Sequence, residues 1–150
     1  MHYTIIKFIC VFFSGILAGE EFIVRYGLSG PLAAMDDKSH IQLRQLLIRR
    51  LRIVVPVIFL ATFFSAVASL IFNDSSTGFT LRGAGLAILI TWIVITLTGT
   101  APINKGALEW QPDAPPANWQ ALINRWKRLD TWRAWLAILA FVLFLAALHV

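Results

Sequence analysis

Three groups of polar residues stand inside or at the edges of otherwise apolar stretches, and each could do chemistry there. The first is Glu20-Glu21 with Arg25. Glu21 and Arg25 are four apart and can pair on one helical face. At about 1.5 Å per residue, a helix starting at Tyr3 reaches Glu20 after about 25 Å, so the carboxylates either snorkel at headgroup level or face a bundle interior. An inward carboxylate, stripped of water, becomes a usable proton acceptor. Glu21, beside Phe22, is the expected base and Glu20 a ligand contact.

The second group is Thr96, Thr98, Thr100, Pro102 and Asn104, with Trp92 further inside. Thr96, Thr100 and Asn104 share a helical face. Threonines in membrane helices usually bond their own backbone or a neighbouring helix. Asn104 follows a proline where the chain leaves the apolar stretch, so its amide is expected to cap a broken helix end or bind a polar ligand group. In the third group, Trp119, Trp126 and Arg133 recur every seven residues on one face, with Arg133 a candidate for the interior. Trp132 and Trp135 read as an interfacial aromatic belt.

The elements that must position these groups follow from composition. Of 150 residues, 58% are hydrophobic and 14% charged, and the mean hydropathy is +0.73, which marks a membrane protein. Four stretches near the length a bilayer demands, at about 3–28, 54–72, 81–101 and 132–150, leave too little chain for a separate soluble core. The expected fold is all-α: a single-domain integral membrane four-helix bundle. The first stretch is too long for a signal h-region, and no small-residue cleavage site follows it, so it is read as a mature span. Pro56 suits the first turn of the second span or a kink before it.

The net charge is +5, and its distribution sets an orientation. Lys38, Arg44, Arg49, Arg50 and Arg52 lie between the first two spans, and Lys105, Arg125, Lys127 and Arg128 between the last two, whereas the Asn73 to Thr80 turn carries none. Both long loops are therefore expected in the cytoplasm and both termini outside, in the inner membrane. Such arginines suit anionic lipid headgroups, so the bilayer is the expected partner and nucleic acid is not. Each loop should hold an interfacial amphipathic helix. One is capped by Ser39, with Leu43, Leu47, Leu51 and Val54 as its apolar stripe and Gln45, Arg49 and Arg52 facing away. The other starts near Asn118, after an irregular Gln111 to Pro116.

In an up-and-down bundle the ends of spans one and three and the starts of two and four share a level. Glu21, Arg25, Thr100, Asn104 and Arg133 should then line one polar mouth of an apolar cavity, which suits a hydrophobic small-molecule ligand. Gly15-x-x-x-Gly19 and Ala61-x-x-x-Ser65-x-x-x-Ser69 read as ordinary packing seams. His2, His40 and His149 are scattered, so no metal site is expected. Lone Cys10 excludes internal disulfide chemistry, and the glycine-rich and nucleophile-elbow motifs of nucleotide and serine-hydrolase sites are missing from the sequence. No cofactor is expected.

Gly19 to Gly27 (GEEFIVRYG), Gln42 to Pro56 (QLRQLLIRRLRIVVP) and Thr100 to Arg133 together resemble the anthrone oxygenase-like membrane family over nearly the whole chain. The firmest markers are Pro102-Ile-Asn104 and the tryptophan-rich helix from Trp126 to Arg133. Family members often carry a histidine shortly before that arginine; this sequence has Asp130. The resemblance implies a four-helix membrane fold and, for fungal polyketide members, oxidation of an anthrone to an anthraquinone by dioxygen without an organic cofactor. The expected activity is thus oxidation of a planar phenolic or polyketide-type substrate, with Glu21 as base and Arg25, Asn104 or Arg133 stabilising the enolate. Glu20, Trp92, Thr96, Thr100 and Trp126 are the expected ligand contacts. The alternatives are a small proton-coupled transporter using Glu20 or Glu21 and a non-catalytic membrane subunit; homo-oligomerisation stays open.

Overall fold

The computed structural model describes residues 2–72 and 75–150, of which the side chain of His2 is not described. Among the described residues the chain is helical almost throughout: α1 (His2–Phe22), α2 (Ser29–Ala33), α3 (Asp37–Ile71), α4 (Ser76–Ile95), α5 (Ala101–Ala107) and α6 (Trp119–Ala146). Two π-helical segments interrupt the α geometry. Ile23–Leu28 links α1 to α2, and Thr96–Thr100 links α4 to α5. The four long helices pack in a ring in which α1 and α4 each touch both α3 and α6. Their shared core holds Leu17, Phe59, Leu89, Trp92 and Phe144.

Three helical stretches, Asp37–Ile71, Ser76–Ala107 and Trp119–Ala146, are long and apolar enough to cross a membrane. In the most apolar part of each, about a third of the residues or fewer are buried. The outside of the ring instead displays Phe8, Phe12, Val57, Phe64, Leu97 and Leu139. Water would not tolerate so large an apolar surface on a monomer, whereas lipid requires it. The chain is an integral membrane protein.

Several elements differ from the expectations above. The amphipathic helix and the second span are one unbroken helix, α3, with Pro56 inside it. Its cap is Asp36, whose carboxylate accepts from the Ser39 amide at 3.0 Å, so Ser39 is the capped residue. The inward stripe is His40, Ile41, Arg44, Ile48 and Phe59, while Val54 is exposed. Gln45 does not face away: its Nε2 donates to the Ala107 and Trp110 carbonyls, both at 2.9 Å. The turn expected at 73–80 falls partly outside the described residues, and α4 already begins at Ser76. Thr96–Thr100 and α5 continue it, so the third helix is not broken at Pro102.

Two consequences are measurable. The Ser39 amide, with its neighbours, holds the exposed Asp36 carboxyl below the usual aspartate range. A lowered folded-state pKa means the cap's contribution is whole above the unfolded value of about 3.9 and is lost as pH falls through the folded one. Hydrogen exchange at Ser39 should therefore accelerate only at strongly acidic pH, and an Asp36→Ala variant should lose that pH dependence. At the opposite end of the ring from Asp36, a Cβ on Gly85 would stand 2.7 Å from the Phe144 ring, which is buried in the core. Gly85→Val is expected to lower stability by about 1–3 kcal/mol, read as thermal unfolding in detergent, because the buried ring must be displaced to admit the larger side chain.

Candidate functional site

Between the four long helices lies a cavity of about 600 Å³. Its walls are mostly aliphatic and aromatic, with Leu28, Leu32, Ile48, Val55, Phe59 and Ile93 among them. The polar lining comes from four directions: Glu20 and Glu21 from α1; His40 and Arg44 from α3; Thr96, Thr100 and Asn104 from the third stretch; and Trp126, Asp130 and Arg133 from α6. Both π segments border the cavity, through Val24 and Leu28 on one side and Thr96, Leu97 and Thr100 on the other. The looser winding of a π turn shifts every later side chain around the axis, a device often found at functional sites.

Arg133 is the centre of the polar end. It is 7% exposed and forms an ion pair with Glu21, itself 2% exposed. Its Nη1 makes longer contacts of 3.5 Å to Asp130 Oδ1 and Thr100 Oγ1. Its guanidinium lies 4.7 Å from the centre of the Trp92 ring, which stacks in turn on Phe59 at 5.0 Å. The cation, acid and π-face are thus fixed together, and a buried pair at such a site is costly to break from one side. A second buried arginine, Arg44, lies over the Trp126 ring at 4.3 Å.

The cavity also gathers buried polar atoms without hydrogen-bond partners. They include Glu20 Oε2, Glu21 Oε2, Asp130 Oδ2, Asn104 Oδ1, His40 Nε2, Trp126 Nε1, Arg133 Nε, and Arg44 Nε and Nη2. Protein interiors satisfy most such groups. A concentration of them around one apolar void is what a site built for a ligand with a few oxygens looks like.

Of the residues singled out from the sequence, Glu20, Glu21, Trp92, Thr96, Thr100, Asn104, Trp126 and Arg133 all line the cavity. Arg25 does not. The π geometry after Phe22 breaks the expected pairing with Glu21, and Arg25 Nε donates instead to Thr131 Oγ1 at 2.6 Å. Thr96 donates to the Trp92 carbonyl at 2.9 Å and Thr100 to that of Thr96 at 3.4 Å, the backbone bonding usual for such residues. Asn104 caps nothing, since the helix runs through it. Trp132 and Trp135 point outward, 67% and 56% exposed.

Three buried polar lining residues escaped sequence reasoning: His40, Arg44 and Asp130. By sequence alone Arg44 reads as a loop cation and His40 as one of three scattered histidines. Their four-residue spacing on one face of an apolar helix was the available signal. Asp130 is fully buried, and its place three residues before Arg133 was the corresponding sign.

Fold and cavity define a class: an integral membrane helical protein with a charged, ligand-sized chamber. Comparison with protein families narrows it. Residues 45–143 match the anthrone oxygenase family model, and the chain belongs to that family. No curated protein and no solved structure matches the chain.

Proposed function

We propose that the chain forms one domain, a four-helix membrane bundle in the inner membrane. In this reading α1 spans the membrane alongside the three longer apolar helices, both long loops are cytoplasmic and both termini lie outside. Its cavity takes a planar phenolic or polyketide-type substrate of the anthrone kind and oxidises it with dioxygen. The observation that carries this reading is the buried Glu21–Arg133 pair at the end of an apolar cavity, with Glu21 Oε2 left unpartnered. The carbonyl of an anthrone makes its methylene hydrogens acidic. Glu21 removes one as a proton, and the charge left behind spreads onto the carbonyl oxygen as an enolate. Arg133 and Asn104 line the same chamber, and the unpartnered Nε of Arg133 supports a role for it in stabilising that oxyanion.

The enolate is itself the reductant. Its carbon passes electrons to dioxygen and forms a C–O bond, giving a hydroperoxide once protonated; loss of water leaves the quinone carbonyl. One oxygen atom ends in the product and the other in water, so this chemistry draws on no cofactor. Withdrawal from water strengthens each electrostatic contact and shields the carbanion from reprotonation by solvent. A cation-exchange site at Glu21 is less well served by this arrangement, because that carboxylate is already paired with a fixed arginine. The test is oxygen uptake by detergent-purified protein supplied with an anthrone. Saturable uptake above the spontaneous rate, with one quinone formed per dioxygen consumed, is expected; uptake equal to that of empty micelles would remove the assignment.

A further inference from the structure

The polar end around Arg133 leaves one buried cavity arginine unused. Arg44 is 5% exposed, lines the cavity and forms no ion pair among the described residues. Asp130 is the acid whose charge reaches it, but Asp130 directs Oδ1 to Arg133. The unpartnered nitrogens of Arg44 are Nε and Nη2. These lie along one edge of the guanidinium, where their N–H bonds run parallel and match the two oxygens of a carboxylate. Stacking on Trp126 at 4.3 Å fixes the plane of that fork.

We propose that Arg44 is the docking point for a carboxylate on the cavity's ligand, gripped side-on by Nε–H and Nη2–H. The identity of the ring rests on the proposed function, which this deepens by one substituent; the carboxylate rests on Arg44 alone. An oxyanion with a single acceptor, such as a phenolate, would leave part of the fork unsatisfied. A phosphate would carry more charge into an apolar chamber at a greater desolvation cost. His40, one turn before Arg44 and with its Nε2 also unpartnered, shares this wall. The cavity lining further includes Arg52, Lys105 and Lys127, a set of cations that draws anionic ligands inward. A carboxylate on an apolar body also describes a fatty acid. The aromatic side chains in the lining, Phe59 together with Trp126 beside the Arg44 fork, favour contact with a flat ring over a flexible chain.

The experiment uses the full chain in nanodiscs of zwitterionic lipid, with binding read by energy transfer from tryptophan to anthracene. Anthracene-2-carboxylate is expected to bind about 10- to 100-fold more tightly than anthracene-2-carboxamide, the range for a charge-assisted bidentate pair. Arg44→Gln should erase that preference while still binding the carboxamide, which also shows that the variant folds. Arg44→Lys, which keeps the charge but not the fork, should retain a smaller preference and carries the test if Arg44→Gln does not fold. Dodecanoate should compete more weakly than the aromatic acid. The proposal is overturned by equal affinities in the unaltered protein, by binding of neither probe, by a preference that survives in Arg44→Gln, or by tighter binding of dodecanoate. None of these readouts requires turnover, so failure here and failure of oxygen uptake are distinguishable.

Discussion

Arg133→Leu is expected to be the most destabilising single change at the site, by about 3–5 kcal/mol, since it leaves buried carboxylates without their counter-charge. Glu21 and Asp130 are 2% and 0% exposed, and Arg133 contacts both. Without it, neither buried acid keeps an ion pair, and only the lesser influence of Arg25 and Arg44 on Asp130 remains. Thermal unfolding in detergent should show the loss directly. Adding Glu21→Gln to Arg133→Leu should recover part of it, because one of the stranded charges is then gone. An unchanged unfolding temperature for Arg133→Leu, or a double variant less stable than the sum of the two single changes, would contradict the role given to this pair.

The largest expected effect on activity is that of Glu21→Gln. The amide keeps the size of the side chain and can still accept from Arg133, which retains Asp130 at 3.5 Å as its counter-charge, so the variant should fold with a smaller stability loss than Arg133→Leu. It cannot take a proton from substrate, and oxygen uptake should fall by about 10²- to 10⁴-fold, the usual contribution of a positioned general base. Glu20→Gln should lose far less, because Glu20 lines the cavity without pairing to Arg133. Rates for both variants under saturating anthrone, alongside their unfolding temperatures, separate the two effects. Equal losses in the two variants would move the base away from Glu21.

Much of the candidate site could be read from the sequence because it depended on topology alone. Alternating apolar stretches place the end of the first beside the start of the fourth, and Glu21 does meet Arg133 across 112 positions of chain. The seven-residue recurrence of Trp119, Trp126 and Arg133 put them on one face, and all three are inward, Trp119 against His40 and the others on the cavity. What stayed hidden depended on local winding. α-Helical spacing pairs Arg25 with Glu21, and that spacing does not hold through the π segment at Ile23–Leu28. Nothing in the residues there announces a π turn.

Arg44 and His40 were lost for a different reason. Reading the basic stretch before Pro56 as a surface helix separated it from the second span and turned its charges toward water. In the fold, α3 runs straight through Pro56 and carries both residues against α6, where Trp119 and Trp126 receive them. A charge-rich helix end therefore forms a wall of the chamber as well as its cytoplasmic-facing surface in the proposed orientation. Sequence counting assigns such arginines to orientation; only packing shows that one of them is stacked, buried and unpaired.

The central claim, that this cavity performs dioxygen chemistry on an enolate, is tested most directly by isotopically labelled dioxygen with purified protein and an anthrone. The account predicts one labelled atom in the new quinone carbonyl, the other in water, at a rate well above the spontaneous one and lost in Glu21→Gln. A quinone formed at the spontaneous rate, or one whose new carbonyl carries oxygen from solvent under conditions where carbonyl exchange is negligible, would contradict it.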